Sequence, residues 1–106
     1  MSNYLLAIST LGNEADAANL AKGLVEARLV ACANVIPNIR SFYHWEGKLC
    51  DEREWLVLMK TTAEKVADLK RELPALHPYD TPELIILPIT DGSDSYLDWL
   101  ANTLNT

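Results

Sequence analysis

Two strand-like segments of unusual length dominate this sequence. Residues Ala31 to Trp45 and Leu49 to Lys60 are joined by Glu46-Gly47-Lys48, which reads as a turn. In the first segment Ala33, Val35, Ile39, Tyr43 and Trp45 keep one side of a period-2 alternation, and Asn34, Asn38, Arg40 and His44 keep the other. In the second, Trp55, Val57 and Met59 share a side. Pro37 interrupts the first segment; it cannot donate to a strand ladder, so it marks an edge or a bulge. A strand of about 15 residues at ~3.3 Å each extends ~50 Å, whereas a domain of this size is roughly 35 Å across. A hairpin of that length must bend sharply or leave its own domain. Outside it, Ile39, Phe42, Tyr43, Trp45, Trp55 and Val57 would stand in water. Open edges are pairing templates and exposed apolar patches mark interfaces. The economical cover is a second copy of the chain, so the pattern predicts a homo-oligomer with Trp45 and Trp55 buried between subunits.

The rest of the chain frames this hairpin. Tyr4 to Thr10 is apolar without alternation, which suits a strand covered on both faces. Asn13 caps a helix with Glu14 and Asp16 in its first turn and Ala17, Leu20, Ala21 and Leu24 on one face. Gly23 weakens that helix by ~1 kcal/mol or marks a close contact. Thr61 and Glu64 have capping-box spacing before a second helix with Val66, Leu69, Leu73 and Leu76, which Pro74 should end or kink near Leu73. His77 to Pro82 is an irregular loop, and Glu83 to Ile89 a strand. Asp91 to Asp94 is a turn and helix start, and Leu97, Leu100 and Leu104 line a last helix. The order β-α-β-β-α-β-α predicts an α+β fold of the ferredoxin-like, split βαβ kind, in one domain over residues 1–106.

Composition narrows the function classes. Asp and Glu number 15 against 9 Lys and Arg, a net charge of -6, which opposes a nucleic-acid partner because that affinity rests on cations neutralising phosphates. No apolar run approaches the ~20 residues that span a bilayer, so no membrane association is expected. No basic residue precedes Lys22, so the start does not read as a secretory signal. Two cysteines are too few for a disulfide scaffold, and a reduced cytoplasmic setting follows as the expectation.

No phosphate loop, nucleophile elbow or CxxC is present. Cys32 reads as an inert thiol buried mid-strand. His44 falls across the hairpin from Cys50 or Asp51, depending on the turn register, which would bring potential ligands together; the alternative is a solvated histidine. His77, with Tyr79, Asp80, Thr81 and Glu83, has two readings of equal weight: a functional loop, or a ring that hydrogen-bonds backbone and holds the loop. No nucleophile–base pair is readable, so no enzyme activity is expected.

The segments Ala31-Cys32-Ala33-Asn34-Val35-Ile36-Pro37, Tyr43-His44-Trp45-Glu46-Gly47-Lys48-Leu49, Lys60-Thr61-Thr62, His77-Pro78-Tyr79-Asp80-Thr81-Pro82-Glu83 and Tyr96-Leu97-Asp98-Trp99-Leu100 closely resemble the CutA divalent-cation tolerance family, from about Tyr4 to Leu104. The resemblance implies a PII-like, ferredoxin-like domain that forms a homotrimer with hairpins wrapped onto neighbours. It implies a role in tolerance of copper and other divalent ions, with no required cofactor and at most a weakly bound copper or zinc. An alternative within the resemblance is a PII-like signalling or small-molecule-binding module acting through inter-subunit clefts. Tyr43, Trp45, Lys60, Tyr79, Glu83 and Trp99 are the expected cleft residues. Some family members carry copper on a first-strand cysteine and two adjacent histidines. Here those positions read Ser9 and Leu76-His77, so His77 alone matches as a metal ligand, and a tight copper site is not expected.

Overall fold

A computed structural model describes residues 3–105; Met1 and Ser2, part of the start that does not read as a secretory signal, lie outside the described residues. The elements run β1 (Tyr4–Leu11), α1 (Glu14–Glu26), β2 (Cys32–Trp45), β3 (Lys48–Thr62), a 3-10 turn (Ala63–Lys65), α2 (Val66–Leu76), β4 (Ile85–Pro88) and α3 (Asp94–Leu104). The strands form one antiparallel sheet in the order β2-β3-β1-β4. This is the ferredoxin-like arrangement that the element order predicts.

The core lies between one sheet face and two helices. Ala17, Leu20, Ala21 and Leu24 of α1 and Leu69 and Leu73 of α2 pack on Ala7 and Leu11 of β1 and Val57 and Met59 of β3. Full burial of each such aliphatic side chain contributes roughly 1.5–3 kcal/mol. Asn13 caps α1 as its position predicts, its side chain accepting from the Asp16 N–H at 2.8 Å. Gly23 is a close contact: a Cβ there would sit 3.0 Å from Leu76 Cδ1. On α3, Leu100 and Leu104 pack with Ala31 and Tyr4 as a separate cluster.

The hairpin is as long as its sequence requires. β3 pairs with β1 only from Trp55 onward, and beyond that point β2 and β3 continue as a two-stranded ribbon to the Glu46-Gly47 turn. The molecule measures 44 Å along its longest axis and 25 and 22 Å across. Trp45 pairs with Lys48 across a two-residue turn whose central residues both have positive φ, 51° at Glu46 and 78° at Gly47. That mirror-image turn matches the right-handed twist of the strands.

Pro37 does mark a bulge, and the bulge overturns the single-sided pattern read from β2. Ile36 pairs with Leu56 but Ile39 pairs with Glu54, so Pro37 and Asn38 together oppose Trp55, with Asn38 at φ 59°. One extra residue reverses the strand's parity. Ala33 and Val35 pair with Met59 and Val57 on the core side, whereas Ile39, Ser41, Tyr43 and Trp45 pair with Glu54, Glu52, Cys50 and Lys48 on the opposite face. His44 consequently lies across from Leu49, not Cys50 or Asp51, and the proposed ligand pairing at the tip does not form. Trp55 stays on the core side and packs, half-buried, against the chain's own core.

Smaller expectations shift for local reasons. Cys32 opens β2 and is only half-buried, so it is neither mid-strand nor sealed. Thr61 is not a helix cap; it ends deep in β3 and its hydroxyl donates to the Leu29 carbonyl at 2.7 Å. Pro74 lies within α2, which ends at Leu76, because a proline so near the end removes only one of the last intrahelical bonds. β4 covers Ile85–Pro88 alone, leaving Glu83 in the preceding loop. In β1 burial alternates: Ala7, Ser9 and Leu11 are buried while Leu6, Ile8 and Thr10 are half-exposed. The chain therefore covers one face of this apolar strand, not both.

Candidate functional site

The parity reversal builds a pocket on the sheet face opposite α1 and α2. Beyond the bulge, Tyr43 and Trp45 turn to the side on which Glu54 and Thr10 already stand, because Thr10 pairs with Leu56 two residues along from Glu54. The loop after α2 brings Tyr79 and Glu83 over the same place, with Asp80 and Thr81 between them. The cavity these segments enclose is about 630 Å³, within the ~300–1,000 Å³ usual for ligand pockets. Ser41 and Phe42 complete its wall.

Glu54 is the buried charge of the site. It is 6% exposed, and its Oε2 accepts from the Tyr79 hydroxyl at 3.0 Å. Burial, followed by that hydrogen bond and the charge of Glu54, pushes the Tyr79 phenol well above its ordinary value. Partial desolvation, with the nearby Cys50, Glu54 and Glu52, raises the Tyr43 phenol as well. Both phenols are hydroxyl donors in a negative surrounding. Glu83 accepts from the Thr10 hydroxyl at 3.4 Å. Gly12 lies beside the Tyr79 hydroxyl, where a Cβ would stand 3.2 Å from the oxygen.

His77 holds the loop in place. It is 6% exposed; its Nδ1 accepts from the Tyr79 N–H at 3.2 Å, so Nε2 carries the proton and donates to the Thr10 carbonyl at 2.9 Å. Its ring lies 4.8 Å from the Tyr79 ring. Both nitrogens are thus engaged within the chain, as the loop-holding reading requires. Ser9 and Leu76 lie elsewhere: Ser9 is in the core, its hydroxyl buried without a partner, and Leu76 rests on Gly23.

Of the six expected cleft residues, the structure brings four together: Tyr43, Trp45, Tyr79 and Glu83. Lys60 stands six residues from Glu54 along β3, roughly 20 Å away, where its ammonium donates to Asn34 Oδ1 and lies 3.9 Å from Cys32 Sγ. Trp99 stacks with Tyr96 on α3 at 5.4 Å. Sequence reasoning missed Glu54 and Thr10. Both gain their place from strand register, and the one signal available was an acid standing next to the core-facing Trp55. Among the described residues no group of three or more His, Cys, Asp or Glu side chains converges on a point that could hold a metal ion.

Comparison with known proteins agrees with this architecture. Residues 5–103 match the family described as CutA1 divalent ion tolerance protein. The chain is 46% identical to the divalent-cation tolerance protein CutA of Thermus thermophilus over 86% of its own length and 88% of that protein's. It is 44% identical over 89% of its length to the chloroplastic CutA protein of Arabidopsis thaliana, of which it spans 52%. The crystal structure of CutA from Xylella fastidiosa superposes with a TM-score of 0.93 at 35% identity, covering 97% of this chain and 99% of that one. The chain belongs to the CutA1 divalent ion tolerance family.

Proposed function

We propose that this chain acts in tolerance of divalent metal ions as a homotrimer that holds copper or zinc weakly, in the cytoplasm, and not as an enzyme. The observation that carries the assembly is the sheet face left open by the chain itself. Ile36, Leu56 and Leu58 of the hairpin, Leu6 and Ile8 of β1, and Leu87 of β4 share that face by register. Ile36 and Leu87 are 40% and 42% exposed. An apolar face with a projecting ribbon beside it is completed most economically by further copies in a closed ring. Two free, half-buried cysteines accord with a reducing compartment, and among the described residues no helix is long and apolar enough to cross a membrane.

Weak ion binding follows from the donors. A tight site needs several ligands closing on one point. The His77 ring would have to release the Tyr79 N–H before its Nδ1 could face an ion. We therefore assign the ion contacts chiefly to the surplus of surface carboxylates, with His77 recruited only if the loop opens. Light scattering at micromolar concentration tests the assembly: three chain masses are expected, and the mass of one chain refutes it. Trp45→Ala, at the ribbon tip, should make the thermal midpoint depend on concentration. Calorimetry on untagged protein tests the ion reading; one stoichiometric, nanomolar copper or zinc site per chain refutes it.

A further inference from the structure

We infer that Asp91-Gly92 is a site of spontaneous backbone isomerisation. The Asp91 carboxyl closes on the Gly92 nitrogen to a cyclic imide, which reopens to isoaspartate, the substrate class of isoaspartyl carboxyl methyltransferases. The inference goes beyond ion tolerance and does not rest on it, because the reaction involves only water and two residues of one loop.

Three observations carry it. First, the Gly92 N–H donates to Asp91 Oδ1 at 2.8 Å. Short polar side chains turn back onto neighbouring backbone N–H groups in irregular segments. Here the turn places the carboxyl carbon, one bond from that oxygen, beside the nitrogen that attacks it. Second, glycine has no Cβ to crowd its own nitrogen, and Asp91, Gly92 and Ser93 are all exposed. The loop is nonetheless held in shape, since Gly92 rests against Leu97, where a Cβ would stand 3.3 Å from Cδ2. Third, residues 89–93 lie between β4 and α3, outside helix and strand, so closing the ring breaks no ladder or helical hydrogen bond.

Among the described residues no other aspartate combines these features. Asp16, Asp68, Asp94 and Asp98 lie in helices and Asp51 in β3, where the backbone is fixed in regular structure. Asp80 shares an irregular loop, but Thr81 follows it, and a stiff β-branched side chain crowds the next nitrogen.

The chemistry needs no further reactant. In the first step the bond from Gly92 N to Asp91 Cγ forms and the C–OH bond of the protonated carboxyl breaks; the hydroxyl leaves with the amide proton as water. In the second, water adds to one of the two ring carbonyls. Opening at Cγ restores aspartate. Opening at the main-chain carbon sends the chain through Cβ and leaves a free α-carboxylate. Nothing is oxidised or reduced, and the product is an isomer of the starting chain. It carries one extra main-chain atom just before Ser93, which precedes α3 and makes no side-chain capping bond. Leu100 and Leu104 keep the far end of α3 packed with Ala31 and Tyr4, so the displacement falls on its first turn.

The test ages the full folded chain in warm, mildly acid buffer beside a synthetic peptide of residues 87–97. Digestion and fragmentation mass spectrometry then separate isoaspartate from aspartate at each position. Isoaspartate is expected at Asp91 at least about tenfold faster than at Asp80, through an intermediate one water lighter than the chain. The folded chain should react about as fast as the peptide or faster. Asp91→Glu, which needs a larger ring, and Gly92→Ala, which crowds the nitrogen, should each slow the reaction about tenfold or more. If Gly92→Ala disturbs α3 through Leu97, Asp91→Glu leaves that contact intact. An isoaspartyl methyltransferase should label the aged chain and not the fresh one. An aged chain without isoaspartate at Asp91 overturns the inference, as does an equal rate at Asp80. So does a folded chain more than about tenfold slower than the peptide, because the loop would then protect the site instead of presenting it. Neither assembled mass nor ion binding enters these readouts, so failure here is distinct from failure of the proposed function.

Discussion

Replacing Tyr79 by Phe removes one oxygen and leaves the ring, the loop and the His77 contact to the Tyr79 amide in place. What is lost is the hydroxyl that donates to Glu54 at 3.0 Å. Glu54 is 6% exposed, so water replaces that donor poorly. A hydrogen bond to a charged acceptor contributes ~1.5–3 kcal/mol, and a buried acceptor left unmet costs ~1–3 kcal/mol. Tyr79 is itself 37% exposed, which admits some solvent and places the loss at the lower end, about 1–2 kcal/mol. For a chain of this length that lowers the thermal midpoint by roughly 5–10 °C. The comparison is made at one protein concentration, because assembly would otherwise contribute.

The same bond sets a pH signature. The folded phenol is held above its ordinary value, so the folded chain keeps a proton that the unfolded chain loses near pH 10. Below that pH the stabilisation is fully present. Above it the unfolded state binds fewer protons, and stability falls as pH rises. Tyr79→Phe lacks this proton, so the gap between parent and variant should narrow from about pH 10 upward. Glu54→Gln paired with Tyr79→Phe should lose less than the two single changes added together, since each removes the same contact. Denaturant unfolding from pH 7 to 11 measures all of this. A Tyr79→Phe chain as stable as the parent at pH 7, with a parallel decline above pH 10, would refute the Glu54–Tyr79 bond as the fastening of this pocket.

Thr61→Val should lower stability by about 1 kcal/mol with no change in the assembled mass, because it removes a buried 2.7 Å bond to the Leu29 carbonyl at constant shape; urea unfolding checks it. Glu46→Asn should raise stability by roughly 0.5–1 kcal/mol, since Asn tolerates the φ of 51° in this mirror-image turn better than Glu does; a lower denaturation midpoint would contradict the turn assignment. Deleting Asn38 should close the bulge and return Tyr43 and Trp45 to the core-side parity, shifting the Tyr79 amide signal while the methyl signals of Leu20 and Leu69 hold. Unchanged pocket signals would mean that the ribbon slides at its turn instead.

Much of the fold was legible because periodicity and punctuation agree with it. Asn13 before Glu14 and Asp16 marks the start of α1, and the Ala17, Leu20, Ala21, Leu24 stripe is the buried stripe. The hairpin and its turn are equally plain. The site was legible only in part, for one physical reason. Side-chain facing in a strand is counted residue by residue, and a single inserted residue inverts every count after it. Pro37 announced an irregularity but could not say whether one residue or none was inserted. Tyr43 and Trp45 were therefore placed with Ala33 and Val35, and Glu54 had no apparent place in any site. Lys60 and Trp99 join the other four only in the inter-subunit cleft that the resemblance implies; within one chain they stand apart from the pocket, and nothing local in the sequence gives the distance along β3 or the direction of α3. The two roles of His77 could not be separated without the Thr10 carbonyl, which comes from a residue 67 positions away.

The bulge also explains how one sheet can serve stability and binding at once. On its near side, β2 and β3 give Val35, Val57 and Met59 to the core, and changes there act on folding. On its far side the same two strands give Tyr43, Trp45 and Glu54 to a pocket that the main core does not contact, and changes there act on the site. The apolar face between these regions is the third element. Ile36, Ile85 and Leu87 are 40%, 49% and 42% exposed. Full burial of an aliphatic side chain contributes ~1.5–3 kcal/mol, so the exposed fractions of these three leave roughly 2–4 kcal/mol unrealised in an isolated chain. Set against a typical domain stability of ~5–15 kcal/mol, that is enough to favour a covered face over a bare one. The Glu54 pocket lies on that same sheet face, because Glu54, Leu56 and Leu58 point to one side of β3, so whatever covers the apolar face also bounds the pocket.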